Sequence, residues 1–130
     1  LLEGLLTVAK LPEAWRARYA DLLGVDVPSD RDGVLQDVHW FSGPVGGAFQ
    51  GYTLGNLLSA QFYEAACRAH PEIPGETQRG NFKPLYGWTR EHIHRHGRTY
   101  DPEDLVQRVC GTGLSAGPYL RYLREKYGDG

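Results

Sequence analysis

The sequence predicts a mostly helical fold, and three features carry that expectation. Apolar residues recur three and four apart over most of the chain, as on one face of a helix. Prolines and glycines punctuate these runs as starts and stops: Pro12 to Gly24, Pro84 to Gly97, Pro102 to Gly111. Only one short segment, near residues 33–41, alternates as a strand or hairpin would. The whole of 1–130 is expected to be a single domain of antiparallel helices with that one extended segment, because domains of about 100–150 residues are the commonest.

Leu1 to Val8 is strongly apolar with only Glu3 charged, and suits the end of a buried helix. From Leu11 a helix opens on Pro12, carries Trp15, Tyr19, Leu22 and Leu23 on one face as core, and stops at Gly24. Val25 to Arg31 is a turn built on Pro28, Ser29 and Asp30. After the alternating segment and a glycine-rich loop, Thr53 is expected to cap a helix running to about Ala69. Its wide apolar face of Leu54, Leu57, Leu58, Phe62, Ala65 and Ala66 includes Gln61. A buried amide is costly unless it is hydrogen-bonded, so Gln61 needs a partner. Backbone of a nearby loop is the favoured one, and the polar cluster around Asp37 is the other.

His70-Pro71 closes that helix, and a short helical turn follows between Pro74 and Gly80. Pro84 opens a helix carrying Leu85, Trp88, His92, Ile93 and His96, with Gly97 as its stop. Asp101-Pro102-Glu103-Asp104 starts the next one, with an acid at the cap and proline at the first position, and Leu105, Val106 and Val109 lead to Gly111. Ser115 opens the last helix, with Leu120 and Leu123 inward and Tyr119, Tyr122 and Tyr127 around them.

A formal charge of -2 and a pI near 6.2 exclude an electrostatic nucleic-acid binder, which would present a basic face. No stretch approaches the roughly 18 apolar residues that span a bilayer, and no basic segment precedes an apolar one as in a signal peptide. Cys67 and Cys110 stand far apart without Cys-x-x-Cys spacing, which fits reduced thiols in a cytoplasmic protein. With no methionine and an apolar start, Leu1 reads as a point inside a longer sequence.

The chemistry is concentrated in Gly33-Val34-Leu35-Gln36-Asp37-Val38-His39-Trp40. In an extended segment, Leu35, Asp37 and His39 share one side, which puts a carboxylate beside an imidazole. An Asp accepting from a ring nitrogen fixes the tautomer and direction of a histidine, as in metal sites and hydrolases. The same residues also fit a buried hydrogen-bonded corner in which Gln36 and Asp37 cap backbone groups and Trp40 is core, and the residues alone leave both open.

Gly33-x-x-Gln36-Asp37-x-His39-Trp40, followed by Tyr52-Thr53-Leu54-Gly55-Asn56 and Ala60-Gln61-Phe62, resembles the C-terminal part of the Taq-type carboxypeptidases. Leu1-Leu2-Glu3-Gly4, Leu11-Pro12-Glu13-Ala14-Trp15, His94-x-His96-Gly97 and Tyr119-Leu120-x-Tyr122-Leu123 extend the likeness over nearly the whole chain. Those enzymes are largely helical zinc metallopeptidases, commonly homodimers, that release C-terminal amino acids from peptides. The resemblance implies a peptide substrate and a cleft wall. In that wall His39 would hydrogen-bond the substrate or its oxyanion, Asp37 would orient it, Gln36 and Trp40 would support it, and Tyr52 would offer a phenol. The family's members are commonly homodimers, and because the apolar Leu1 to Val8 stretch must be covered, a homodimer through Leu1 to Val8 and helical faces is expected.

The sequence departs from the family where it matters most. The zinc-holding His-Glu-x-x-His helix and the upstream Arg-bearing motif are absent from these 130 residues. The chain is therefore expected to hold no cofactor itself, with zinc belonging to the full-length family. It is expected to be a truncated, divergent relative or C-terminal fragment that is inactive alone. The alternative is an excised part of a complete, active zinc carboxypeptidase. Where the family usually has a Gly-Tyr-Phe-Pro-Thr-Tyr run, this chain reads Gly47-Ala48-Phe49-Gln50-Gly51-Tyr52, so Ala48 offers no phenol and Tyr52 keeps the second. His92 and His96 have the i,i+4 spacing of two metal ligands, yet no third ligand or base accompanies them, and packing histidines are the favoured assignment.

Overall fold

In a computed structural model the chain is helical throughout its regular structure. The structure describes residues 3–40, 42–43 and 47–128, and for Trp40 the backbone only. Backbone contacts group the chain into two compact units, Leu1–Tyr52 and Thr53–Gly130.

In the first unit a 3-10 turn at Val8–Lys10 runs into α1, Leu11–Leu23, which has Pro12 in its first turn as the sequence predicts. Gly24 ends it in the left-handed region at φ 64°, where the Gly24 and Val25 amides return to the Ala20 and Tyr19 carbonyls at 3.1 and 3.4 Å. That six-to-one closure needs a positive φ, which glycine adopts without penalty. The α1 face differs from the expected core. Trp15 and Tyr19 are half-buried and stacked at 5.0 Å, but Leu22 and Leu23 stand 72% and 63% exposed. With Leu6, Leu11 and Ala14 they line an open apolar groove of about 440 Å³.

The alternating segment is not a strand. Among the described residues of 33–41 the chain is a series of tight turns ending in a 3-10 turn at Val38–Trp40. The physical reason is where the amides go: Gly33 and Leu35 donate to the Asp30 carbonyl, and Gln36 donates to that of Gly33. Donors satisfied locally leave nothing for a ladder, and alternation without a partner strand does not make a sheet. Val27 and Val34 are buried here, while Leu35 and Val38 are exposed.

α2 spans Gln50–Ala69 and starts three residues before Thr53. The Gly51 amide donates to the Ala48 carbonyl and the Tyr52 amide to that of Phe49, so the first turn is already wound before the residue that looks like a cap. α3 (Ile73–Gln78), α4 (Lys83–His92), α5 (Pro102–Cys110) and α6 (Gly117–Tyr127) complete the second unit. Its core is Ala65, Ala66, Ile73 and Trp88, with Phe62, Leu85, Ile93 and Val109 packed against it.

Gln61 is 3% exposed, and its amide is fully engaged. Nε2 donates to the Gly113 carbonyl at 2.9 Å and to Thr112 Oγ1 at 3.3 Å, while Oε1 accepts from the Ser115 amide at 2.9 Å. This is the loop tie favoured above, and it fixes the α5–α6 connection against α2. At the mouth of that connection Ser115 Oγ accepts from the Gly117 amide at 3.1 Å, although the cap position itself is Ala116, one residue later than the sequence suggests. Asp101 behaves differently: it sits extended before Pro102, but its side chain makes no cap bond, and it acts through charge near the helix start. Leu120, expected inward, is 46% exposed, whereas Pro118 is buried.

α4 ends earlier than expected. At Ile93 the backbone leaves the helical region (φ −124°, ψ −63°), a 3-10 turn follows at His94–His96, and Gly97 closes it. Ile93 packs on the core at this break.

Candidate functional site

The polar motif is assembled entirely within the first unit, and each member has a distinct job. Gly33 is there because nothing larger fits. A Cβ at this position would lie 2.7 Å from Val27 Cγ1, 3.0 Å from the Ser29 carbonyl oxygen and 3.5 Å from Trp15 Cδ1. Gln36 reaches α1, where Nε2 donates to Tyr19 Oη at 3.3 Å. Its amide is spent tying the motif to the helix.

Asp37 and His39 form the pair that the sequence places side by side, although through a turn and not through a strand. Asp37 Oδ1 accepts the His39 backbone amide at 3.0 Å and lies 2.7 Å from Nδ1 of the same residue. The backbone bond first, and the ring bond second, hold the Asp37 carboxyl below the ordinary carboxylate range. An ionised carboxylate only accepts, so the Nδ1 proton is fixed on the ring and Nε2 is left for other partners. Both side chains are more than 40% exposed.

Two aromatic rings frame the imidazole. Phe49 meets it edge-on at 5.5 Å and 70°, Tyr52 at 6.2 Å and 74°, and the two rings are 5.8 Å from each other. They come from the first turn of α2 and the residue before it, three positions apart and hence on one side. Ala48 pins this turn to the motif, its amide donating to the His39 carbonyl at 2.8 Å. Gln50 Nε2 donates to the Gly47 carbonyl at 2.6 Å.

Of the candidates named from the sequence, Asp37, His39 and Tyr52 are brought together, and Gln36 is turned aside to Tyr19. The side chain of Trp40 lies outside the described residues. Phe49 was not among the candidates, though its three-residue spacing from Tyr52 at a helix start is a usable signal. His92 and His96 do not share a helical face, because the helix breaks at Ile93 between them. His92 stacks on Trp88 at 4.8 Å with Nδ1 3.0 Å from the Trp88 carbonyl oxygen, and His96 packs on Tyr100 at 5.3 Å. No group of three or more His, Cys, Asp or Glu side chains among the described residues is arranged to hold a metal ion. The described residues therefore do not fit a zinc ion.

The helical chain carries a turn-borne Asp-His pair framed by aromatic residues, and comparison with known proteins gives its class. The sequence profile described as Carboxypeptidase Taq (M32) metallopeptidase matches residues 1–127. The thermostable carboxypeptidase 1 of Thermus thermophilus is 46% identical over 127 residues, which is 98% of this chain and 25% of that protein. Carboxypeptidase 1 of Bacillus subtilis is 35% identical over 124 residues, covering 95% of this chain and 25% of its own length. The crystal structure of the M32 carboxypeptidase from Deinococcus radiodurans R1 superposes with a TM-score of 0.88 at 55% identity, over 98% of this chain and 26% of that one. This chain belongs to the Carboxypeptidase Taq (M32) metallopeptidase family. It spans about a quarter of the length of the relatives it matches. Among the described residues no helix is long and apolar enough to cross a membrane.

Proposed function

We propose that this chain supplies the substrate-facing wall of a family carboxypeptidase cleft, corresponding to the C-terminal part of the full-length enzyme, and does not cleave peptides alone. The observation that carries this is the part-exposed Asp37–His39 pair beside the Tyr52 ring. With Nδ1–H committed to Asp37, neutral His39 offers a lone pair at Nε2, and protonated His39 offers an N–H. The protonated form can donate to a carbonyl or oxyanion. Tyr52 offers a phenol on the same side.

The zinc and its general base would come from the rest of the family fold, since neither is provided by the residues here. We further propose a cytoplasmic location, supported by two free thiols, Cys67 and Cys110. A homodimer that covers the apolar Leu5 and Val8, now 85% and 75% exposed, is proposed on the same footing. An excised part of a complete active enzyme is the other arrangement compatible with one-quarter coverage, and it assigns the same roles to these residues.

The test is titration of the isotope-labelled chain with a tripeptide bearing a free C-terminal carboxylate. The His39 and Tyr52 resonances should move, and His39→Ala should weaken binding about tenfold, the worth of one hydrogen bond. Peptide binding that leaves both resonances in place would remove them from the wall. Release of C-terminal residues by this chain alone would overturn the inactivity.

A further inference from the structure

We propose that Phe49 is the positioning residue of this site, holding the His39 imidazole and the Tyr52 ring in one fixed mutual arrangement. The proposal rests on the role given above to His39 and Tyr52. The three rings form a closed triangle with sides of 5.5, 5.8 and 6.2 Å, and Phe49 makes the two shorter ones. The weakest side joins the two polar rings, so their alignment depends on the apolar ring that both touch.

Asp37 fixes one edge of the imidazole, but a single hydrogen bond leaves the ring free to swing about that contact. Phe49 is half-buried and meets the imidazole edge-on at 5.5 Å, a second contact on that ring, while its neighbours hold its backbone. The Ala48 amide is bonded to the His39 carbonyl on one side, and on the other the Phe49 carbonyl accepts the Tyr52 amide at 3.0 Å. Backbone bonds thus connect Phe49 to both of the rings it contacts. Phe49 has no group that could donate to a substrate oxygen, and its effect passes through His39 and Tyr52.

The ring contacts of His39 are read by nuclear Overhauser effects in the 130-residue chain, with Phe49→Ala, Phe49→Leu and Phe49→Tyr compared. The His39–Tyr52 ring cross-peak should vanish in F49A, weaken in F49L, which restores bulk without an aromatic edge, and persist in F49Y. The ring-current shift of the His39 protons should follow the same order. Tripeptide affinity should fall about two- to tenfold in F49A and return in F49Y, the range that edge-to-face aromatic pairs span. Hydrogen-exchange protection of α2 from Leu57 to Ala69 should stay unchanged in all three, which separates positioning from unfolding. A His39–Tyr52 cross-peak that survives in F49A would overturn the proposal. Peptide that fails to bind the unaltered chain would count against the wall function, while the cross-peaks would still decide the role of Phe49.

Discussion

Replacing Gly33 with alanine tests whether the motif is built around a missing side chain. Ordinary contacts between carbons lie at about 3.5–4.0 Å. The new Cβ would come to 2.7 Å from Val27 Cγ1 and 3.0 Å from the Ser29 carbonyl oxygen, so something must give by close to an ångström. Val27 is 6% exposed, which leaves its methyl no open space, and the second obstacle is backbone. Overpacking of this kind costs about 1–3 kcal/mol. The upper half of that range is expected here, because neither neighbour is the flexible end of a long side chain. The assay is urea unfolding followed by the fluorescence of the tryptophans, with Gly55→Ala as the matched control. Gly55 lies within α2 and a Cβ there meets nothing within 4 Å, so that exchange should stabilise by about 0.5–1 kcal/mol. Opposite signs for the two glycines are the prediction. A Gly33→Ala chain within about 0.5 kcal/mol of the unaltered one would refute the close packing of Trp15, Val27 and Ser29 around this position.

Gln61→Leu keeps the bulk of the side chain but strips the α5–α6 connection of its tie, leaving the Ser115 amide and the Gly113 carbonyl without their partner. The loss should be about 2–4 kcal/mol in the same unfolding assay, with faster amide exchange at Ser115; a cost below about 1 kcal/mol would show that water replaces the amide freely. The Asp37 carboxyl is held below its ordinary value by the His39 amide and ring, so the unfolded chain binds the proton more readily than the folded one. Its contribution is therefore complete above the ordinary value of 3.8 and is lost as pH falls through the lower folded value. Asp37→Asn should flatten the part of the acid-unfolding profile that lies below pH 3.8, leaving the part due to Glu76, which is held down by Asn81 and then Arg79. An unchanged profile in the Asn variant would mean that the carboxylate is not bonded in solution.

Three helices were legible from their start and stop residues, while the Pro84 to Gly97 helix kept its start and ended early at His92. Pro12 with Gly24, Pro102 with Gly111, and Ser115 before Pro118 bound α1, α5 and α6 to within two residues. Gln61 was legible for the same kind of reason, because a buried amide must find partners. What failed was inference from local pattern where the deciding partner lies elsewhere. Alternation from Val34 to Trp40 looks like a strand only until the amides are traced to Asp30 and Gly33. Thr53 looks like a cap, but Ala48 and Phe49 had already turned the chain. The break at Ile93 has no proline or glycine to announce it, and it separates the two histidines whose spacing alone suggested a pair. In the site, the Asp37–His39 contact survived the wrong secondary structure, since residues two apart meet in a turn as well as on a strand face. Gln36 did not, because its destination, Tyr19, is seventeen positions away.

The Asp37 carboxylate grips both the ring and the backbone amide of a residue two positions along, so one edge of the imidazole is anchored within a single tight bend. In many enzymes the orienting acid arrives from a distant part of the chain, and the histidine loses its bearing whenever the tertiary structure breathes. Here the described residues of 3–52 bury only Val27 and Val34 among their hydrophobic side chains, a small foundation for any long-range alignment. A self-contained bend tolerates such a foundation.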